Sequence, residues 1–172
     1  MGADAISYLL RELPSRSPSS VVELGPGTSS VVLGRCLKGV AFSGLEHDAG
    51  FAKSVAANLI YHGQVDYDLI LAPLKPVNIN GRAAQWYDQT MLEGLHAKID
   101  VLIVDGPPNL KGKGNRAAAW PVLRDRVVVG GLVLVDDTHR KDERQMVNDW
   151  LADGTLRIVD DRGSFMVIEK TA

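Results

Sequence analysis

The stretch Val21-Val22-Glu23-Leu24-Gly25-Pro26-Gly27-Thr28-Ser29 decides how this chain of 172 residues is read. An apolar run rich in valine ends at an acid, two glycines then frame a proline, and a segment of helical spacing follows. Such a run suits a buried strand. Glycines at 25 and 27 let the backbone bend sharply and meet a ligand with no Cβ in the way. The unpaired N–H groups of the following helix start face the same place and supply donors. Strand, bare turn and helix start together make a cradle for a ligand.

Outward from this turn, Val/Ile/Leu-rich runs at 21–24, 41–46, 67–71, 100–104, 131–135, 156–159 and 165–169 alternate with segments of helical spacing at 29–37, 49–61, 83–95, 116–128 and 141–151. The alternation predicts a doubly wound α/β fold, because parallel neighbours need long crossovers and helices then cover both sheet faces. Pro121 weakens the fourth helix or starts it late. The helix at 49–61 is expected to turn Phe51, Val55 and Leu59 inward, and the last one Met146, Val147, Trp150 and Leu151. The last two strands are separated by only Asp160-Asp-Arg-Gly-Ser164, too short for a crossover, so they are expected to pair antiparallel. The expected architecture is a single domain over 1–172: a seven-stranded, mostly parallel sheet closed by a C-terminal antiparallel hairpin. Residues 14–20, Pro-Ser-Arg-Ser-Pro-Ser-Ser, are read as the loop that joins an N-terminal helix to the first strand.

Composition narrows the function classes. The chain is 45% hydrophobic and 23% charged, ordinary for a globular protein. A net charge of −2 and a pI near 6.1 give no overall positive field, which disfavours nucleic acid as a partner. No run is long and apolar enough to span a membrane, and the N-terminus lacks the basic flank of a secretion signal. The single cysteine, Cys36, sits among Val31, Val32, Leu33 and Leu37 and reads as a small buried hydrophobe rather than a reactive thiol. A cytoplasmic compartment is expected.

Acids recur where strands are expected to end. Glu46 closes the second strand about 20 residues beyond the turn, where a carboxylate can accept both hydroxyls of a ribose. His47 beside it is either a surface residue or part of the same pocket wall. Asp105-Gly106-Pro107-Pro108 ends the fourth strand, and Asp136-Asp137-Thr138-His139 ends the fifth. Three carboxylates from neighbouring strand ends, Asp105, Asp136 and Asp137, offer oxygen ligands to a hard cation such as Mg²⁺; alternatively Asp136 or Asp137 caps the next helix. Between those strands, Lys111, Lys113 and Arg116 are spaced by glycines, as either a basic lid or a solvated loop.

The pattern acidic-x-Gly-x-Gly, here Glu23-Leu-Gly25-Pro-Gly27, resembles the first motif of the class I S-adenosylmethionine-dependent methyltransferases. Ser29 stands where many members have a third glycine, the Gly-Thr-Ser variant of some bacterial members. The resemblance runs from about Val21 to Lys170. It implies S-adenosylmethionine as cofactor, with Glu23 directed toward the methionyl amine and Gly25, Pro26, Gly27, Thr28 and Ser29 against the methionyl and ribose part. It assigns Glu46 to the ribose hydroxyls, Pro73 and Leu74 to the adenine ring, and Asp105 and Gly106 to the neighbourhood of the transferred methyl. One of Trp86 and Tyr87 would then border the pocket while the other packs in the core. Asp-Gly-Pro-Pro resembles variants in bacterial enzymes that modify sugars and other small molecules, so the expected reaction is methyl transfer to a hydroxyl of a small-molecule acceptor. Asp105 or His139 would remove the proton, or Mg²⁺ at the three acids would activate the oxygen. Little chain precedes the first strand to cap the substrate, an element that a second copy in a homodimer would supply.

Two other classes share the first half of this plan. A nicotinamide-dependent oxidoreductase requires glycine at position 30 to complete Gly-x-Gly-x-x-Gly, and this chain has Ser30. A non-catalytic nucleotide-binding module would keep the pocket and lack the chemistry.

Overall fold

The computed structural model describes residues 1–64, 66–79, 81–109 and 115–172. Helix α1 (Ala3–Arg16) leads into β1 (Ser20–Leu24), α2 (Thr28–Gly34), β2 (Ala41–Glu46), α3 (Ala49–Tyr61) and β3 (Tyr67–Leu71). A hairpin of β4 (Leu74–Ile79) and β5 (Arg82–Tyr87) and a 3₁₀ turn (Gln89–Gly94) precede β6 (Ile99–Val104). A second 3₁₀ turn (Asn115–Ala118) runs into α4 (Ala119–Leu123), followed by β7 (Val127–Asp136), α5 (Lys141–Leu151), β8 (Leu156–Asp161) and β9 (Phe165–Lys170).

The main sheet has seven strands in the order β3-β2-β1-β6-β7-β9-β8. The first five are mutually parallel, and β9 lies antiparallel between β7 and β8, as the short Arg162–Ser164 connection requires. Alternate residues of the central strands feed two apolar layers. Val22, Leu24, Leu102, Val104, Val133 and Val135 face the hairpin, α4 and α5. Val21, Val101, Ile103, Leu132 and Leu134 face α1 and α2, where Leu9, Leu13 and Leu33 meet them. Both faces being covered explains why these strands read as continuous apolar runs rather than alternating ones.

The structure corrects several expectations. No helix forms over 83–95: Arg82–Tyr87 is a strand paired antiparallel with Leu74–Ile79, and only the 3₁₀ turn at Gln89–Gly94 follows. Gly81, at φ +82°, turns the chain where the sequence reads Asn80-Gly81, the dipeptide that tight hairpins favour. Trp86, buried at 1% exposure, anchors this hairpin in the first apolar layer. The helix expected over 116–128 shrinks to Ala119–Leu123, because the β-branched run Val127-Val128-Val129 joins β7 early and opposes Ile99 before a shift in register. Helix α2 stops at Gly34, which leaves Cys36 exposed in the turn that follows rather than buried. Pro14 lies inside the last turn of α1 instead of starting a loop, since Leu13 is still needed in the core. In α3, Val55 and Leu59 face inward as expected, whereas Phe51 is half exposed.

Candidate functional site

The parallel strands β1, β2 and β6 end together, and their loops surround a cleft of about 410 Å³, the size of a small-ligand pocket. Its floor is Gly25, Pro26, Gly27 and Thr28. Glu46, His47, Asp48 and Phe51 form one wall, and Asp105, Gly106, Pro107 and Pro108 the other. Tyr87, from the hairpin, lines the cleft between those walls. The bend itself is set by Gly25 at φ +81°, whose N–H donates to the Leu45 carbonyl at 3.1 Å. A Cβ at Gly25 would meet the Gly106 backbone at 3.0 Å, whereas one at Gly27, a residue that lines the cleft, would meet nothing within 4 Å. Position 27 is thus bare toward the space a ligand would fill.

Glu23 is not part of that wall. It is fully buried beneath the turn, where Ser29 donates to Oε1, Ser30 to Oε2 at 2.5 Å and Tyr67 to Oε2 at 3.2 Å. Burial raises its carboxyl above the usual range, against the pull of the three hydroxyls. Its observed work is therefore to hold the floor. Ser30 explains itself in the same network: its hydroxyl also accepts from the Gly27 N–H at 2.9 Å, so the residue that stands where Gly-x-Gly-x-x-Gly would have its last glycine ties the bend together. Ser29, likewise, points into this network and does not line the cleft.

Glu46 stands at 3% exposure, with Oε1 accepting from the N–H groups of His47 and Asp48 at 2.7 Å each and lying 2.7 Å from His47 Nδ1. Among the described residues no donor engages Oε2, the oxygen left for the cleft. His47 therefore sits in the wall and braces the acid. Asp48 caps α3 by accepting from the Phe51 N–H, which fixes the direction in which the wall leaves the sheet.

Asp105, Asp136 and Asp137 come together as expected, each offering an oxygen within 4.8 Å of the others. The cation that faces them comes from the stretch expected as a basic lid or solvated loop: Arg116 is buried at 5% exposure, bonds Asp137 Oδ2 at 2.9 Å and the Asp105 carbonyl at 2.6 Å, and lies 3.5 Å from Asp105 Oδ1. Arg140 approaches the same Asp137 oxygen at 2.9 Å. The Met1 amino group donates to Asp105. Burial raises the Asp105 carboxyl, and Asp136 adds to that, while the Met1 amino group and Arg116 pull it down. The helix-capping alternative is not realised, because α5 begins behind Arg140 with no side-chain cap. His139 is exposed in the turn before α5 and does not reach the cleft; Pro73 is exposed, and neither it nor Leu74, half-buried in β4, lines it. Lys111 and Lys113 lie outside the described residues.

With this geometry established, solved structures supply a comparison. An O-methyltransferase from Bacillus cereus in complex with SAH superposes at a TM-score of 0.73 with 14% identity, over 99% of this chain and 82% of that one. A methyltransferase from Geobacter sulfurreducens gives 0.71 and 14%, over 100% and 80%. This chain has the methyltransferase fold. A putative rRNA-methylase from Clostridium thermocellum shares that fold as well, at a TM-score of 0.66 and 13% identity, over 97% of this chain and 95% of that one. No protein-family profile and no curated protein matches the chain in sequence. The methyltransferase fold accounts for the place of the cleft, since ligands of open α/β sheets bind outside the carboxyl ends of the strands. No helix among the described residues is long and apolar enough to cross a membrane.

Proposed function

We propose that this chain binds S-adenosylmethionine in the cleft over Gly25–Thr28 and transfers its methyl group to a hydroxyl of a small-molecule acceptor. The observation that carries the reading is the combination, at one set of strand ends, of a floor bare at Gly27 with a carboxylate oxygen of Glu46 left for a ribose. The same fold holds SAH in the Bacillus cereus structure.

Bound S-adenosylmethionine supplies an electrophilic methyl on a sulfonium. The rest is the work of this chain: the cleft walls align the acceptor oxygen with the methyl, and alignment alone accelerates displacement greatly. The oxygen gains the methyl, the sulfur keeps the electron pair of the broken bond, and the acceptor proton passes to Asp105, whose raised carboxyl suits it as base. His139 is left out of this scheme by its place in the exposed turn. A divalent cation such as Mg²⁺ would be held by Asp105, Asp136 and Asp137, where it would polarise the acceptor oxygen, but only in competition with Arg116.

The small-molecule assignment rests on charge. The chain carries a net charge of −2, which supplies no overall positive field to draw in a phosphate backbone. The reading extends to a cytoplasmic enzyme of one domain, with the half-exposed Phe51 at the cleft rim available to a second copy in a homodimer.

The test incubates the chain with methyl-labelled donor and separate pools of hydroxyl-bearing metabolites and RNA, each with Mg²⁺ or chelator. Label in the metabolite pool is expected. Label only in RNA would overturn the acceptor, donor binding without transfer would favour a non-catalytic module, and binding of NADH in place of the donor would restore the oxidoreductase.

A further inference from the structure

Tyr87 ends β5 with its side chain 1% exposed, and its hydroxyl has no hydrogen-bond partner among the described residues. Buried polar groups in native proteins are nearly always paired, so a stranded donor that lines a cleft points to what the cleft takes. The hydroxyl is close to the Gly106 backbone: a Cβ built at Gly106 would lie 2.7 Å from it. Position 106 is bare, in part, to make room for this group. The charges that act on the phenol are those of Glu46, Arg116, Asp105 and Glu23, which places it among the ends of β1, β2 and β6. Burial pushes its ionisation well above the ordinary range, so the oxygen keeps its proton and offers a donor at every working pH.

A fixed, unpaired donor in the lining of the cleft needs an acceptor atom on the ligand. Glu46 on one side is an acceptor, suited to ribose hydroxyls, and Asp105 on the other is placed for the reacting end. The part of the methyl donor that spans the space between them is its nucleoside, which carries ring nitrogens and ribose oxygens able to accept. Resting on the S-adenosylmethionine reading above, we propose that Tyr87 is a nucleoside-recognition residue whose hydroxyl donates a hydrogen bond to the adenosyl part of the bound donor. The hairpin that carries it then contributes to ligand selection and not only to the core.

The experiment compares the wild-type chain with Tyr87→Phe, by calorimetric titration with S-adenosylhomocysteine and with methylthioadenosine, which lacks the amino-acid part, and by thermal melting of the ligand-free chain. The variant is expected to bind both ligands roughly tenfold more weakly, the effect of one lost hydrogen bond. Its ligand-free melting temperature is expected to be unchanged or higher, because phenylalanine fills the same space without a stranded donor. Unchanged affinity for both ligands in a folded variant would overturn the proposal while leaving the donor reading intact. Weaker S-adenosylhomocysteine binding with unchanged methylthioadenosine binding would overturn the nucleoside assignment. A wild-type chain that binds neither ligand would overturn the donor reading itself and this proposal with it.

Discussion

Tyr67 of β3 reaches across β2 to donate to Glu23 of β1 at 3.2 Å, and it can do so because Gly44, the β2 residue opposite Glu23, has no side chain. A Cβ at Gly44 would fall 1.8 Å from the Tyr67 hydroxyl and 3.1 Å from Pro26 Cβ. The floor of the cleft is therefore fixed by a bond running through three strands. Gly44→Ala should force Tyr67 off Glu23 and destabilise the chain by about 1–3 kcal/mol, the usual cost of overpacking. Tyr67→Phe, which removes only a bond to a buried carboxylate, should cost about 1.5–3 kcal/mol. Urea denaturation of both variants measures this, and an unchanged midpoint in either would show that the bond does not support the floor.

Gly106→Ala should displace the glycine turn under the cleft and weaken ligand binding in a chain that still folds. The new methyl would meet the Tyr87 hydroxyl at 2.7 Å and the Cα and N of Gly25 at 2.8 and 2.9 Å, and two of those are backbone atoms of the turn itself. A loss of more than about tenfold in S-adenosylhomocysteine affinity is expected, equivalent to about 1.4 kcal/mol. Titration and circular dichroism of the same sample separate this from simple unfolding.

Arg116 supplies the positive charge between Asp105 and Asp137 that a metal would otherwise bring. Transfer by the wild-type chain should survive a chelator. Arg116→Met, which leaves carboxylates facing one another, should lose about tenfold or more in kcat/KM, and part of that loss should return with added Mg²⁺. Wild-type transfer that stops in the chelator would instead place the cation at the three acids.

Asp161 gives a pH prediction away from the cleft. Arg144 holds its carboxylate through two bonds of 2.8 and 3.0 Å, and with the Gly163 N–H this lowers its ionisation from 3.8 to about 2. The folded value lies below the unfolded one, so the stabilisation is fully present above pH 3.8 and is lost as pH falls through about 2. Both side chains are more than a third exposed, and screening by solvent limits the contribution to about 1 kcal/mol or less. Asp161→Asn should narrow the gap in stability between pH 6 and pH 2 (values chosen roughly to bracket that window), as read by denaturant melts at both.

The parallel strands and the closing hairpin were legible because buried strands write themselves as apolar runs and a five-residue connection cannot cross a sheet. The β4–β5 hairpin was not, since Ala83, Ala84, Trp86 and Tyr87 read as helical material and only Pro76 and Asn80-Gly81 argued otherwise. Glu46, Asp105 and the glycine turn were legible from their places at strand ends, and they line one cleft. Glu23 was found as well, but its burial under Ser29, Ser30 and Tyr67 depends on partners from three elements that no local pattern links. Arg116 was missed as a site residue for the same reason: glycines around it suggest a loop, and only the fold brings it against the ends of β6 and β7. Tyr87 carried a weak signal, as one of two adjacent aromatics of which the resemblance put one at the pocket.

The most direct measurement is a calorimetric titration of the wild-type chain with S-adenosylhomocysteine, run beside Glu46→Ala and with NADH as the competing ligand. The account predicts one site per chain with a dissociation constant of about 10 µM or tighter, severe weakening in Glu46→Ala, and no heat from NADH. Saturable NADH binding together with no response to S-adenosylhomocysteine would contradict it.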